Sequence, residues 1–140
     1  MVMKKTTMSL RKRRRGAVTV EMAIAAPVLF ILVFGALEFC GANVQRHTVD
    51  NAAYEAARRG IVPGATVADV EARATEIMSF VGATNGINVN VTPAAITDAT
   101  PELTVRVESS IAANGWIMPI FFADDDLLVG ECTMRREELE

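Results

Sequence analysis

The sequence has few of the residues that most often carry catalytic chemistry. Its 140 residues include one histidine, two cysteines, one tryptophan and one tyrosine. It has no glycine-rich phosphate loop, no serine-centred nucleophile elbow and no Cys/His cluster with metal-ligand spacing. Nothing in the sequence pairs the single histidine, His47, with a nucleophile, so we expect it to be an exposed helical residue. These absences argue against an enzyme and predict no cofactor and no metal site.

No acidic residue occurs before Glu21. Residues 1–16 hold seven of the 14 basic residues, whereas all 17 acids lie in residues 17–140. A nucleic-acid arm is one interpretation of a basic tract, because Lys and Arg neutralise phosphates. No aromatic residues are interleaved among these charges, and the adjoining apolar segment already accounts for them. No nucleic-acid partner is therefore predicted.

A long apolar run follows the basic tract. Residues 17–37 are apolar apart from Thr19 and Glu21. As a helix they would span about 31 Å, close to the roughly 30 Å hydrocarbon core of a bilayer. The run predicts one transmembrane helix, with membrane lipid around it and a kink at Pro27.

The charge asymmetry orients this helix. The positive-inside bias places residues 1–16 in the cytoplasm and the chain from Glu38 onward in the periplasm or outside the cell. The run is longer than the roughly 7 to 15 residues of a secretory h-region, and no small-x-small cleavage site follows it at once. Cys40 is preceded by Glu38 and Phe39, not by the small residues of a lipoprotein signal. We therefore expect a retained single-pass anchor in the cytoplasmic (inner) membrane.

Residues 38–60 continue the helical pattern beyond the bilayer. Val49 and four alanines recur there at spacings of three and four, and form a small-residue face suited to close packing. Gly60 ends this pattern and Pro63 lies just beyond it. The result is one helix from about residue 17 to residue 59.

The remaining residues, 61–140, predict a small exported head. Thr66 is an N-cap with Asp69 three residues later, a variant of the capping box, and the apolar residues that follow share one helix face until Gly82. Three segments with alternating or partly alternating polarity predict strands at 87–91, 103–109 and 127–137. The fold class is α+β, with an antiparallel meander of about three strands laid on two helices.

The segment 112–126 gathers large apolar residues around the single tryptophan, Trp116. The favoured interpretation is a loop folded back over the sheet to complete a small core. The alternative is an exposed apolar patch that contacts a partner subunit or the membrane surface. Asp124, Asp125 and Asp126 lack the spacing of a calcium loop, so a solvated turn is favoured over a calcium site.

The two cysteines, Cys40 and Cys132, both lie in the exported part, where a disulfide is chemically possible. Cys40 comes just after the membrane end of the helix, so a bridge requires Cys132 to reach that surface. The other interpretation is a pair of small buried or interfacial thiols, and it is the favoured one.

The junction of the basic tract and the apolar run has a recognisable pattern. "RRRGAVTVE" resembles the processing site of type IV prepilins, in which a basic leader ends in glycine and glutamate is the fifth residue of the mature chain. The longer run "RRRGAVTVEMAIAAPVLFILVFGALEF", followed by "NAAYEAARRG" and the ending "ECTMRREE", is similar to TadE-like proteins. These are pseudopilins of the tight-adherence (Tad, type IVc) pilus system.

The resemblance implies roles for three residues. A prepilin peptidase would cut between Gly16 and Ala17 on the cytoplasmic side of the membrane. An acid inside a spanning helix is costly, and the resemblance implies that Glu21 would neutralise the new amino group of Ala17 in a neighbouring subunit. The small-residue helix face would pack against other pilin helices. The implied partners are the prepilin peptidase, other pilins or pseudopilins and the Tad assembly machinery.

Two departures bear on the kind of pilin. Major Tad pilins tend to carry tyrosine after this glutamate and to have almost no globular head, whereas this chain has Met22 and a head in residues 61–140. The resemblance therefore implies a structural, non-enzymatic minor pilin or pseudopilin for pilus biogenesis, adhesion or an allied secretion system. The rival hypotheses are a single-pass membrane-anchored periplasmic binding protein that keeps residues 1–16, and a periplasmic enzyme on a tether.

Overall fold

The computed structural model of the chain describes residues 7–97, 100–117, 119–122 and 126–136, with side chains from residue 16 onward. Its elements are α1 (Thr7–Gly60), α2 (Val67–Ser79), β1 (Ile87–Thr92), β2 (Glu102–Ser110), a short 3₁₀ turn (Ala112–Asn114) and β3 (Leu127–Arg135). The α+β class and the order of two helices before three strands are confirmed. The chain divides into two compact units, Met1–Ala36 and Leu37–Glu140.

The first unit is helical over its described residues. Helix α1 begins at Thr7, earlier than predicted, because the Met, Leu, Lys and Arg residues of the leader are good helix formers. Pro27 lies inside the helix. Phe30 and Phe34, about one turn apart, stack with their ring centroids 6.2 Å apart. Nearly every residue of the segment 16–34 is exposed, so this part of the chain has no core of its own.

In the second unit, α1 presents its small-residue face to the head. The buried members of this face are each at most 1% exposed, and they are Val49, Ala52, Ala53, Ala56 and Ala57. They belong to one hydrophobic core with residues of α2 and of the sheet. The prediction that this face packs against other pilin helices is therefore wrong, because the chain's own head covers it.

Helix α2 begins with the predicted capping box. The Asp69 backbone N–H donates to Thr66 Oγ1 at 3.3 Å, and the Thr66 backbone N–H donates to Asp69 Oδ2 at 3.0 Å. The helix ends at Ser79, three residues before the predicted stop, and Gly82 follows in a turn with φ of +75°. Its buried residues are Val70, Ala74, Ile77 and Met78.

The three strands form one antiparallel sheet in the order β1-β2-β3. Burial alternates along the central strand β2, so that Leu103, Val105 and Val107 face the core. Val105 pairs with Val91 of β1 on one side and with Cys132 of β3 on the other. The predicted meander is confirmed, with strand ends that differ from the prediction by one or two residues.

Glycine allows the sheet and α2 to approach α1 closely. A Cβ built at Gly130 of β3 would lie 2.7 Å from the carbonyl oxygen of Val49. A Cβ at Gly60, the last residue of α1, would meet the side chains of Leu103 and Val70. Contacts this short exclude larger residues, so the glycines at these two positions serve packing.

Candidate functional site

The residues of the predicted processing site lie on exposed positions of α1. A Cβ built at Gly16 meets nothing within 4 Å, and this glycine has an ordinary helical backbone. A glycine inside a helix costs about 1 kcal/mol relative to alanine. The fold therefore gives no reason for glycine at position 16, in contrast to Gly60 and Gly130.

Glu21 is also exposed, on the second turn after Gly16. Among the side chains that the structure describes, none forms a hydrogen bond or an ion pair with its carboxylate. The acid is thus placed in an apolar stretch without a partner among the described side chains. A carboxylate in that position is expensive in lipid unless something outside the chain neutralises it.

The apolar run on α1 meets the physical requirements of a membrane span. The helix from Gly16 to Gly60 contains an 18-residue window with a mean hydropathy of 2.3, and none of that window is buried within the protein. The core helix of a soluble protein would have these residues covered. Membrane anchoring is the state that removes this much apolar surface from water.

Glu38 is the first charged residue after the apolar run, and it binds the backbone of the loop before β3. Its carboxylate is buried and accepts hydrogen bonds from three successive main-chain amides, those of Ile120, Phe121 and Phe122. Oε1 lies 3.0 Å from each of the three nitrogens, and Oε2 lies 3.1 Å and 3.2 Å from the first two. One side chain of α1 therefore holds the loop before β3, more than 80 residues further along the chain.

Two opposing effects act on this carboxyl group. Burial raises the pKa of Glu38, whereas the backbone donors Phe121, Phe122 and Ile120 together lower it by more, so the net pKa lies below its usual range. The group is an anion at neutral pH, and the amide donors take the place of water around it.

Large apolar side chains lie beside the turn of α1 that contains this carboxylate. The aromatic surface consists of Phe39, Trp116, Ile120 and Phe121, all of them exposed. The Phe39 ring centroid lies 6.0 Å from that of Phe121 and 5.2 Å from that of Phe122. Trp116 packs beside Gly41, where an added Cβ would lie 3.8 Å from the indole.

The predicted fold-back of segment 112–126 over the sheet is wrong for most of its apolar residues. Of the large apolar residues described in this segment, only Phe122 packs at the margin of the core, because Glu38 on α1 binds the backbone of the loop. The predictions for Met118, Asp124 and Asp125 lie outside the described residues, whereas Asp126 is described and exposed.

A buried polar network connects α1 to the turns at one end of the sheet. Asn114 Oδ1 accepts the backbone N–H groups of Thr84 and Asn85 at 3.0 and 2.9 Å, and its Nδ2 donates to the Asn85 carbonyl at 2.6 Å. The Asn114 carbonyl accepts Gln45 Nε2 at 2.7 Å. This network fixes the turn before β1 and the 3₁₀ turn after β2 relative to α1.

At the other end of the head, Arg136 holds the turn that connects the two helices. Its guanidinium donates to the carbonyls of Ile61, Val62 and Thr97 at 3.1, 3.0 and 2.8 Å. Its backbone N–H donates to the Pro101 carbonyl at 2.9 Å. The chain segment after β3 thus closes the end of α1 that lies farther from the apolar run.

The remaining chemically reactive residues form no site in the described part of the chain. Cys40 is an exposed free thiol, and Cys132 is a half-buried free thiol whose pKa is raised by burial. The disulfide between them is not formed. His47 is exposed on α1, as predicted. Over the described residues, no group of three His, Cys, Asp or Glu side chains is arranged to hold a metal ion.

A comparison with known protein families matches most of helix α1. Residues 16–58 match the family model described as TadE-like protein. Over these residues the chain is similar to TadE-like proteins. The matched segment begins at the glycine predicted to precede the cleavage site and contains Glu21, Glu38 and the small-residue face of α1. The match confirms the resemblance of this segment to TadE-like proteins. No curated protein and no solved structure matches the chain.

Sequence reasoning missed the residues that hold the head together. Glu38, Asn114 and Arg136 each make several long-range hydrogen bonds, and none was predicted to do so. For Glu38 a signal was present, because it is an acid placed directly after the apolar run. The Asn114 and Arg136 contacts depend on turns whose paths the sequence pattern does not specify.

Proposed function

We propose that this chain is a minor pilin or pseudopilin of the TadE-like kind, a structural and non-enzymatic subunit for assembly of a Tad (type IVc) pilus or an allied secretion system. The observation that carries the proposal is the family match over residues 16–58. The head supports a minor rather than a major subunit, because together with α1 it encloses a hydrophobic core.

In this proposal a prepilin peptidase cuts the chain between Gly16 and Ala17. The exposed position of Gly16 and its lack of any packing role support recognition by another protein as the reason for the glycine. Before the cut, the basic leader keeps the N-terminus in the cytoplasm, and the head lies in the periplasm or outside the cell. The anchor in the cytoplasmic membrane remains after the cut, since it begins at Ala17.

Glu21 then sets the register between subunits. Cleavage creates a positively charged amino group on Ala17, and a neighbour's Glu21 pairs with it as the helices slide together in lipid. An unpaired acid in an apolar helix is costly, so pairing stabilises the assembly relative to the separate subunits. The exposed carboxylate, which pairs with none of the described side chains, supports this role. The contact between subunits falls on the apolar part of α1, because the head covers the small-residue face.

The proposal is tested in the native cell with the gene replaced by single-residue variants. We expect Gly16→Ala to leave an uncut chain and to abolish its incorporation into pili or the assembly complex. We expect Glu21→Gln to be cut normally but to fail in assembly. Glu71→Gln, an exposed acid on α2, is the matched control and should behave as the native chain.

The readout is the amount of the chain in sheared pili and in complexes purified with other pilins, together with the number of pili. Unchanged pili and unchanged complexes in the Gly16→Ala and Glu21→Gln cells would contradict the proposed function. The same outcome would favour an anchored protein whose head acts elsewhere.

A further inference from the structure

The aromatic surface belongs neither to the hydrophobic core nor to the proposed contacts between subunits. Its four residues are exposed by more than half, at 56% for Phe39, 59% for Trp116, 54% for Ile120 and 53% for Phe121. Exposed leucines and valines scattered singly are normal on a protein surface, but four large exposed side chains beside one turn of α1, one of them a tryptophan, are not. Something other than water is expected to cover it.

We propose that the aromatic surface docks on the lipid bilayer, with Trp116 and the two phenylalanines at the level of the lipid headgroups. The surface would then hold the base of the head against the membrane while the subunit is unassembled. This inference rests on the membrane anchor of the proposed function.

The position of Phe39 in the chain favours lipid as the occupant. Phe39 is the second residue after the apolar run 17–37, so the helix rise places it about 3 Å beyond the last residue of that run. The headgroup region begins at that depth. Phe121 is in ring contact with Phe39, so it lies at the same level.

The composition of the surface also fits the membrane interface. Trp and other amphipathic aromatic residues are enriched there, because the ring suits the apolar side and the indole N–H suits the headgroups. None of the four side chains carries a charge that would oppose contact with lipid.

The hydrogen bonds of Glu38 explain how an irregular loop can lie at that depth. Main-chain amides that enter an apolar environment without a partner are strongly unfavourable. The Glu38 carboxylate accepts all three amides from Ile120 to Phe122, so these three N–H groups are already paired where the loop meets the lipid. The same carboxylate is turned inward and is itself shielded from the lipid.

Trp116 is the only tryptophan, so its fluorescence reports on this surface alone. The full chain is placed in phosphatidylcholine nanodiscs, at one chain per disc. The discs carry bromine on the acyl carbons near the headgroup, bromine near the chain end, or no bromine. We expect the shallow bromines to remove most of the Trp116 emission, the deep bromines to remove less, and iodide in the buffer to have little effect.

A matched control moves the tryptophan along α1. In the Trp116→Phe, Tyr54→Trp variant, the probe lies on an exposed helix position about 22 Å from Phe39 along the helix axis. Iodide should quench this probe and bromolipids should not. Comparison of the native chain with this variant therefore distinguishes docking of the aromatic surface from general proximity of the protein to the disc.

Emission from Trp116 that is quenched by iodide and unaffected by bromolipids would overturn the inference. Protection of Trp116 from both quenchers would also overturn it, because protein and not lipid would then cover the surface. The anchor is tested separately by alkaline carbonate extraction of native membranes. Release of the chain would remove the anchor and the proposed function with it, whereas retention with an iodide-quenched Trp116 removes the docking inference alone.

Discussion

The Oε1 atom of Glu38 accepts the main-chain N–H of Phe121 at 3.0 Å, and these two residues are 83 positions apart in the sequence. The same oxygen also accepts the amides on either side of Phe121. The bond joins the first turn of α1 after the apolar run to the loop before β3. The position of this loop on α1 therefore depends on one carboxylate.

Replacing that carboxylate should loosen the loop. In Glu38→Gln, one oxygen remains to accept the three amides, and the new NH₂ group faces donors instead of acceptors. We expect faster hydrogen exchange at the amides of residues 120–122 and a lower midpoint of thermal unfolding. Glu71→Gln removes an exposed acid on α2 and serves as the control. Equal exchange in the native chain and Glu38→Gln would contradict the role given to this residue.

The contribution of Glu38 should also depend on pH. Because its pKa is lowered in the folded state, the carboxylate stabilises the fold at pH values above the ordinary pKa of a glutamate in the unfolded chain. That stabilisation is lost as the pH falls through the lower folded-state pKa. We expect the difference in unfolding midpoint between the native chain and Glu38→Gln to be full near neutral pH and to shrink in acid. A difference that grows on acidification would contradict a lowered pKa of Glu38 in the folded state.

The close approach of β3 to α1 predicts opposite effects for two glycine substitutions. Gly130→Ala places a Cβ 2.7 Å from the Val49 carbonyl oxygen, so we expect a loss of about 1 to 3 kcal/mol in the free energy of unfolding. Gly41→Ala meets only Trp116, at an ordinary 3.8 Å, and alanine favours helix. It should be neutral or stabilising. Denaturant unfolding of the two variants measures both effects, and equal stability would show that β3 moves away from α1 without cost.

The geometry of Arg136 predicts that lysine cannot replace it. A guanidinium reaches three carbonyls in different directions, whereas an ammonium on a flexible stem offers a single donor centre. We expect Arg136→Lys to reduce the free energy of unfolding by roughly 1 kcal/mol and to increase hydrogen exchange in residues 61–65. The neighbouring substitution Arg135→Lys, at an exposed position, is the control. Indistinguishable exchange in the two variants would argue that the turn holds without the guanidinium.

The sequence predicted the features that depend on local pattern. Hydrophobic periodicity located α1 and α2, alternation located the three strands, and the Thr66 and Asp69 side chains formed the predicted capping box. The partner of a small-residue face cannot be predicted in this way, since alanines suit contact with another subunit and contact with the chain's own sheet equally well. The path of segment 112–126 was missed for a similar reason. Its apolar content favoured the core, but a distant carboxylate decided where the loop lies.

The processing site is predicted from sequence alone, because the fold places no requirement on Gly16. The measurement that tests the account most directly is the intact mass of the chain purified from its native membranes. It is compared with the Gly16→Ala variant and with the native chain from cells that lack the prepilin peptidase. We expect the native chain to have lost the mass of residues 1–16 and both comparison samples to retain it. A native chain that keeps its leader would contradict the account, and Glu21 would then have no neighbouring amino group to neutralise.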